Sequence, residues 1–437
     1  MPWQTAPMLG SAAPRDQLEI ERFLLDELPS LGPPPRGADG LERARRFFAR
    51  LGNPQDAARQ IHIVGTAGKG TAAAAIVGRL VGAGASVGAH LSPHVYDLRE
   101  RLLLDGQMPS WHQVQQSLRD MWPAMRACEA AEGRPPSFFE VMAALAWSIG
   151  RDAGVDVFIT EAGIGGELDA TTTITRADKV TVIMPVGYDH LEILGNDLAS
   201  IARTKSAVIA AGGHVVVAPQ PHDEVARLLA DLATSRDAAV TDIPPLPHAP
   251  VPWLAEAAAV ADAVLALLAG PMGLDVSAAP APVAIPGRLE QLLVAERTLV
   301  LDGAHNPLKL KALRQGLPTA AVLVTALSHE KDLDACAPEL AQLAATVIAT
   351  DFAVAAGDRV VRRSWSAEQL AGAIRASGAR GEVVAVPGID AAMATALEIA
   401  QSGDTIVATG SFMMLAPARE AAMTRAAPLT RTLRPAR

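Results

Sequence analysis

The chain has 437 residues, half of them apolar, with Gly and Pro at ordinary levels and a formal charge of −9. That length calls for two domains, the composition excludes a disordered chain, and the acidic balance argues against nucleic acid as a partner. No unbroken apolar run reaches the roughly 18 residues of a membrane span. The opening MPWQTAPMLGSAAPRDQ lacks the basic start and apolar core of a secretory signal. Cys128 and Cys336, far apart, form neither a disulfide framework nor a metal knuckle, so a reducing cytoplasm is expected.

In chain order, short Val- and Ile-rich runs recur: IHIVG (61–65), VDVFIT (155–160), KVTVIMPVG (179–187) and HVVVAP (214–219). Later come RTLVLDG (297–303), AAVLVTALS (320–328), TVIAT ending at 350, EVVAV (382–386) and DTIVATGS (404–411). Runs apolar on both faces suit a buried parallel sheet. The Ala/Leu-rich segments between them, such as TAAAAIVGRLVGAG, suit crossover helices. The chain therefore reads as α/β. The low-complexity stretch GPMGLDVSAAPAPVAIPGR (270–288) reads as an interdomain linker with its boundary near 283, giving domains 1–282 and 283–437. The ends, before residue 17 and after about 420, read as loosely ordered.

GTAGKGT (65–71) lies between the first of these runs and an Ala-rich helix. Strand, glycine turn and helix start form the context of a phosphate-binding loop: bare backbone amides surround a phosphate and the helix N-terminus adds positive charge. Lys69 is placed to reach the outer phosphates and the Thr71 hydroxyl to ligate Mg²⁺. The spacing is not that of the common motif, since Gly70 separates the lysine from the threonine. Basic residues are overwhelmingly arginine; lysine stands only at 69, 179, 205, 309, 311 and 331, which suggests it is kept where an amine is needed.

The loop resembles that of the Mur-ligase superfamily, and within it the folylpolyglutamate synthase/dihydrofolate synthase family. Further segments match that family in order: LSPHVYDLRERLLLDG (91–106), SFFE (137–140), EAGIGGELDATTTI (161–174), GYDHLEILG (187–195) and IARTKSAVI (201–209), then PGRLE, LDGAHNP and TGSFMML. The resemblance implies a phosphate-loop N-terminal domain with a mainly parallel sheet and a smaller Rossmann-like C-terminal α/β domain. It implies an ATP-dependent, ADP-forming ligase that phosphorylates a carboxylate and joins it to the amine of an amino acid, usually glutamate. ATP would be held by Gly65, Thr66, Gly68, Lys69, Gly70 and Thr71, and by Arg288, Asp302, His305 and Asn306 of the second domain. Thr71, Glu161, His190 and a carboxylated Lys205 would serve two Mg²⁺ sites. Lys69, His190, Lys205 and Arg288 would carry catalysis, and Ser92, Phe138, Asp169 and Ser411 would meet the substrates.

Both a capped turn and a ligand site fit DGAHNP. The partners implied are a folate-type or related small carboxylate and an amino acid, with no nucleic acid, no membrane and a monomeric chain. Four positions depart from the family pattern: Ala67 for Asn, Glu167 for Arg, Thr172 for Asn and Thr204 for Glu. Glu167 reverses an expected charge in a segment that lies near the pterin-bearing substrate in the family. A paralogue acting on a non-folate carboxylate therefore stays open, as does a Mur-type ligase of a peptidoglycan precursor.

Overall fold

A computed structural model describes residues 9–10, 12–31, 37–317, 320–356, 359–379 and 381–425. The chain forms two compact units. The first comprises Met1–Ser92, Asp97–Leu246 and Leu254–Ala284; the second comprises Pro93–Tyr96, Pro247–Trp253 and Ile285–Arg437.

The first unit is built on a seven-stranded sheet of β1 (Arg59–Val64), β2 (Val87–His90), β3 (Leu102–Leu104), β4 (Val157–Glu161), β5 (Val180–Ile183), β6 (His214–Val217) and β7 (Ala239–Asp242). Its order is β3-β2-β4-β1-β5-β6-β7, with β3 alone antiparallel. β1 is buried along nearly its whole length, as a strand flanked by parallel neighbours and covered on both faces must be. Its register aligns Ile63 with Glu161 of β4 and with Val182 of β5. The loop after β1 therefore opens between the carboxyl ends of two neighbours, where ligands of open α/β sheets collect. One layer of the core is aromatic: Phe23 meets Trp122, and Phe48 meets Trp147, edge to face at 5.1 Å.

The 270–288 stretch is not a free linker over its whole length. Ala281 donates its N–H to the Gly78 carbonyl at 2.8 Å, and Arg79 reaches the carbonyls of Val276 and Ala278. A Cβ on Gly78 would lie 2.5 Å from the Ala281 oxygen, so the glycines of the helix Lys69–Gly82 make the groove that this small-residue strap fills. The helix Pro252–Met272 has a mean hydropathy of 1.6 over its most apolar window, long and apolar enough by composition to cross a membrane. It carries Glu256 and Asp262, the latter paired with Arg79 at 2.5 Å, and buries Val260, Val264, Leu265 and Leu268 inside the unit.

At the N-terminus, Leu9 donates its N–H to both Glu129 carboxylate oxygens at 3.0 Å, and Trp122 donates to the Gly10 carbonyl at 3.0 Å. The segment just ahead of residue 17 is thus tied down rather than loose; residues 1–8, and 426–437 at the other end, lie outside the described set. The last described helix runs through Phe412–Arg425, closed by an Arg425–Asp390 ion pair at 2.6 Å.

The second unit holds a six-stranded sheet of β8 (Glu290–Val294), β9 (Arg297–Leu301), β10 (Ala320–Thr325), β11 (Ala344–Ala349), β14 (Glu382–Ala385) and β15 (Thr405–Thr409). The order is β14-β11-β10-β15-β9-β8, parallel except for β8. A separate hairpin joins β12 (Ala353–Ala356) to β13 (Arg359–Arg363). The α/β class and the two mainly parallel sheets are those expected.

Candidate active site

Gly65 leaves β1 at φ 147° and Gly68 caps the helix Lys69–Gly82 at φ 78°. A Cβ on Gly65 would stand 2.7 Å from Met184 Cβ and 3.0 Å from the Met184 carbonyl oxygen, so only glycine lets the turn pass β5. Thr66 and Ala67 donate their N–H groups to the Pro185 carbonyl at 2.8 and 3.3 Å. The Thr66 hydroxyl bridges Gly187, donating to its carbonyl at 3.0 Å and accepting from its N–H at 3.1 Å. These bonds fix the first half of the loop. The second half opens a helix whose N-cap has no side chain to cap it, leaving the first-turn amides of Lys69, Gly70 and Thr71 oriented for an anion.

Two of the chain's scarce lysines meet here. Lys69 Nζ donates to the Gly65 carbonyl at 3.2 Å, and Lys205 Nζ donates to the same oxygen at 3.0 Å. Lys205 is buried, in the last turn of the helix Leu198–Ser206. Glu161, at the end of β4, sets one oxygen 3.9 Å from Lys69 Nζ and accepts the Ser92 N–H on the other at 3.0 Å. Ser92 therefore reaches this site through its backbone. Gly166 packs directly on the Lys205 helix: a Cβ there would lie 2.7 Å from the Thr204 oxygen and 3.0 Å from that of Lys205.

The loop after β4 is organised by Asp169. Its carboxylate is buried and accepts the N–H groups of Ile164 and Thr171 at 2.9 Å and the Thr171 hydroxyl at 2.6 Å. Burial pushes this carboxyl up, against those donors and the Gly163 N–H. Glu167 and Leu168 are exposed at the tip of the same loop, while Thr172 donates its hydroxyl to the Gly166 carbonyl. His190 sits at φ 51° before the helix Leu191–Leu194, half-buried, with Nε2 3.9 Å from Asp189 and Nδ1 3.9 Å from Glu192. Among the described residues no three His, Cys, Asp or Glu side chains gather into a metal-holding group. Glu161, at the mouth of the phosphate loop, offers a hard carboxylate oxygen of the kind that suits Mg²⁺.

SFFE has a local explanation. Ser137 caps the helix Phe138–Ala153, and Glu140 returns the bond as a capping box. Glu140 also forms a buried ion pair with Arg43 at 2.6 Å. Phe138, the first residue of that helix, lies 5.0 Å beneath the Arg101 guanidinium. Arg101 was not singled out from the sequence. It is buried, and burial draws its guanidinium down to about 10 against the opposing charges of Glu161 first and Glu100 second. The available signal was a charged pair, Glu100-Arg101, at the mouth of the all-leucine β3.

In the second unit, Asp302 follows β9 and accepts the N–H groups of Leu289 and Ala304, each at 2.9 Å. Burial raises it to about 6, with Arg288 and Lys309 opposing. The Arg288 guanidinium lies 5.2 Å from the Phe412 ring centre. His305 donates from Nδ1 to the Gly303 carbonyl at 2.6 Å and sets Nε2 3.0 Å from Lys309 Nζ. Asn306 caps the helix Pro307–Gly316 by accepting the Lys309 N–H at 2.9 Å. Ser411 is buried, its hydroxyl accepting the Met413 N–H at 3.2 Å.

Beside the β12–β13 hairpin, a cavity of about 1000 Å³ is lined by His329, Glu330, Asp351, Arg362, Arg363 and Met413 among others. The buried hydroxyls of Thr325, Ser328 and Thr350, at the ends of β10 and β11, have no partner among the described residues.

Fold and loop together define an α/β protein of the phosphate-loop class, with a second α/β unit after it. Residues 287–412 match the Mur ligase, glutamate ligase domain. The chain is 31% identical over 413 residues to the dihydrofolate synthase/folylpolyglutamate synthase of Escherichia coli, covering 87% of this chain and 90% of that protein. It is 31% identical over 435 residues to a probable bifunctional folylpolyglutamate synthase/dihydropteroate synthase of Halobacterium salinarum, covering 92% of this chain and 51% of the relative. The chain thus spans about half the length of the archaeal relatives it matches. A solved folylpolyglutamate synthase of Mycobacterium tuberculosis, complexed with ADP and AMPPCP, aligns with a TM-score of 0.74 at 27% identity over 90% of this chain and 96% of that one. The chain belongs to the folylpolyglutamate synthase/dihydrofolate synthase family of Mur ligases.

Proposed function

We propose that this chain is an ATP-dependent, ADP-forming ligase that joins a carboxylate to the amine of glutamate through an acyl phosphate, acting as a folylpolyglutamate/dihydrofolate synthase. The observation that carries the reading is the meeting of Lys69 and Lys205 on the Gly65 carbonyl, with Glu161 beside them, at the mouth of an uncapped helix. That arrangement offers cations and amides to a polyphosphate and a carboxylate to its counter-ion.

In this reading the loop from Gly65 to Thr71 holds the phosphates and Lys69 stabilises charge on the transferring group. Glu161 and Thr71, with His190 and a carboxylated Lys205, would hold Mg²⁺, which when bound would draw charge from the phosphoryl oxygens. The acceptor carboxylate displaces ADP to give an acyl phosphate. The amine then attacks the acyl carbon, phosphate leaves, and the amine loses a proton. Arg288, Asp302, His305 and Asn306 are the further nucleotide-binding residues that the family resemblance assigns. The cavity of the second unit is lined by Arg362, Arg363, Asp351 and Glu330, with Arg362 paired to Glu330 at 3.0 Å, and groups of both signs suit a zwitterion bearing a second carboxylate. Cys128 and Cys336 are both buried thiols outside any disulfide, in keeping with a reducing cytoplasm.

Glu167 favours a second reading, in which the acceptor is a carboxylate other than a folate. One assay decides: ADP release and product mass spectrometry with dihydropteroate, tetrahydrofolate and a panel of other carboxylates, each with glutamate. AMP as the sole nucleotide product would overturn the ADP-forming, acyl-phosphate reading. ADP release with a non-folate acceptor alone would select the second.

A further inference from the structure

We propose that His62 is a positioning residue: through the Thr171 hydroxyl it fixes the Asp169 carboxylate, and with it the 163–173 loop, to the strand that carries the phosphate loop. His62 is fully buried on β1, three residues before Gly65. Its Nε2 lies 2.9 Å from Thr171 Oγ1, and that oxygen lies 2.6 Å from Asp169 Oδ1. The Thr171 hydroxyl donates its single proton to Asp169 Oδ1. The hydroxyl lone pair then faces the ring, and Nε2 must carry the ring proton. The other nitrogen, Nδ1, is buried with no partner among the described residues.

Asp169 spends its two oxygens on both ends of the loop, taking Ile164 N–H on one and Thr171 N–H and hydroxyl on the other. The ring is the only side chain through which β1 grips this carboxylate in the bonds described. The charged and titratable groups around it are few. Lys179, at the entry to β5, is buried, donates to the Ile174 carbonyl at 3.3 Å and is drawn down to about 8 by that burial. Burial first, and the charge of Lys179 second, hold the imidazole well below its usual range. His62 therefore acts as one N–H at a fixed place, with no charge to offer.

The loop also presents Gly166 to the backbone of Thr204 and Lys205, so its position sets the wall beside the phosphate loop. That this wall meets the carboxylate acceptor rests on the functional reading above; the relay itself does not. Ring-nitrogen NMR of the full chain, with His62 assigned by its loss in His62→Gln, should show an Nε2–H tautomer unchanged between about pH 8 and about pH 5.5, where an ordinary histidine titrates. Thr171→Val keeps the shape and removes the hydroxyl. It should speed amide exchange across 163–173 by about tenfold or more, with exchange in 69–82 and ADP affinity within about twofold of wild type. Thr171→Ser should restore slow exchange.

If dihydropteroate is turned over, the valine variant should raise its KM and leave that of ATP alone. No turnover by wild type counts against the functional reading and leaves the exchange and NMR results to judge the relay. A titrating ring, an Nδ1–H tautomer, wild-type exchange in the valine variant, or ADP binding lost along with the loop would overturn it. Should the valine variant fail to fold, the wild-type ring signals and the serine variant decide.

Discussion

Asp302 is a buried carboxyl held at about 6, and that makes it a measurable burden on the fold. An unfolded aspartate titrates near 3.9, so the native state binds this proton more tightly than the unfolded state does. The folded value is raised, so stability is greatest below the unfolded pKa and falls as pH rises through the window between the two. A gap of about two units corresponds to roughly 3 kcal/mol over the full window, and about 2 kcal/mol of it falls between about pH 4.5 and pH 7.5. Asp302→Asn removes the titration. It also spoils one of the two N–H bonds from Leu289 and Ala304, a loss of about 1–3 kcal/mol that does not vary with pH. Urea unfolding of the two proteins across this range should therefore show a stability difference that moves by about 2 kcal/mol in favour of the asparagine variant as pH rises. A difference that stays constant across the range would refute the reasoning. If the variant also loses nucleotide turnover, the carboxylate is kept for its charge in spite of what that charge costs the fold.

The strands were legible where both faces are apolar. HVVVAP and AAVLVTALS contain β6 and β10 and overrun them by two and three residues, whereas IHIVG overruns β1 by Gly65 alone and misses its first two residues, the polar Arg59 and Gln60. β2 was not legible: its sequence, VGAH, holds a glycine that faces the Phe158 ring at a distance no Cβ could share, and a histidine buried against the Arg101 carbonyl. β7 is mostly exposed and so lacks the apolar signature altogether. The strap at 275–283 has a linker's composition, but small residues are what the glycine groove of the helix Lys69–Gly82 accepts, some 200 residues earlier in the chain. The same holds for the site. Lys69 and Glu161 follow from their places at a helix start and a strand end. Arg101 and His62 do not, because each owes its role to burial among partners distant in sequence. His62 in particular lies inside a run read only for its strand pattern.

Further outcomes follow from the same geometry. Lys69→Ala should lower turnover by about 10²–10³-fold or more with the fold intact, as expected for a group that meets developing charge; near-normal rates would end the phosphate-loop reading. Gly65→Ala forces a Cβ against Met184 at a φ that disfavours it. It should cost about 1–3 kcal/mol in unfolding free energy along with nucleotide binding. Arg43→Met strands the buried Glu140 carboxylate and should destabilise the first unit by about 3–5 kcal/mol, which Glu140→Gln in the same chain should partly restore. The last outcome concerns Lys205. Its Nζ and that of Lys69 share the Gly65 oxygen, so as two ammonium groups they stand no more than about 6 Å apart, a repulsion of roughly 3 kcal/mol at an effective dielectric of 20. Addition of CO₂ to a neutral Lys205 amine, with one N–H proton released to water, would give a carbamate that turns repulsion into attraction, offers oxygen donors for Mg²⁺ and still leaves one N–H for the Gly65 carbonyl. Lys205→Ala should then lose most activity and recover part of it with acetate, whereas Lys205→Arg, which keeps its charge and cannot take up CO₂, should stay inactive. Carbon-13 NMR of the chain in labelled bicarbonate should show one carbamate signal absent from Lys205→Arg. A fully active arginine variant, or no such signal, would rule the carbamate out.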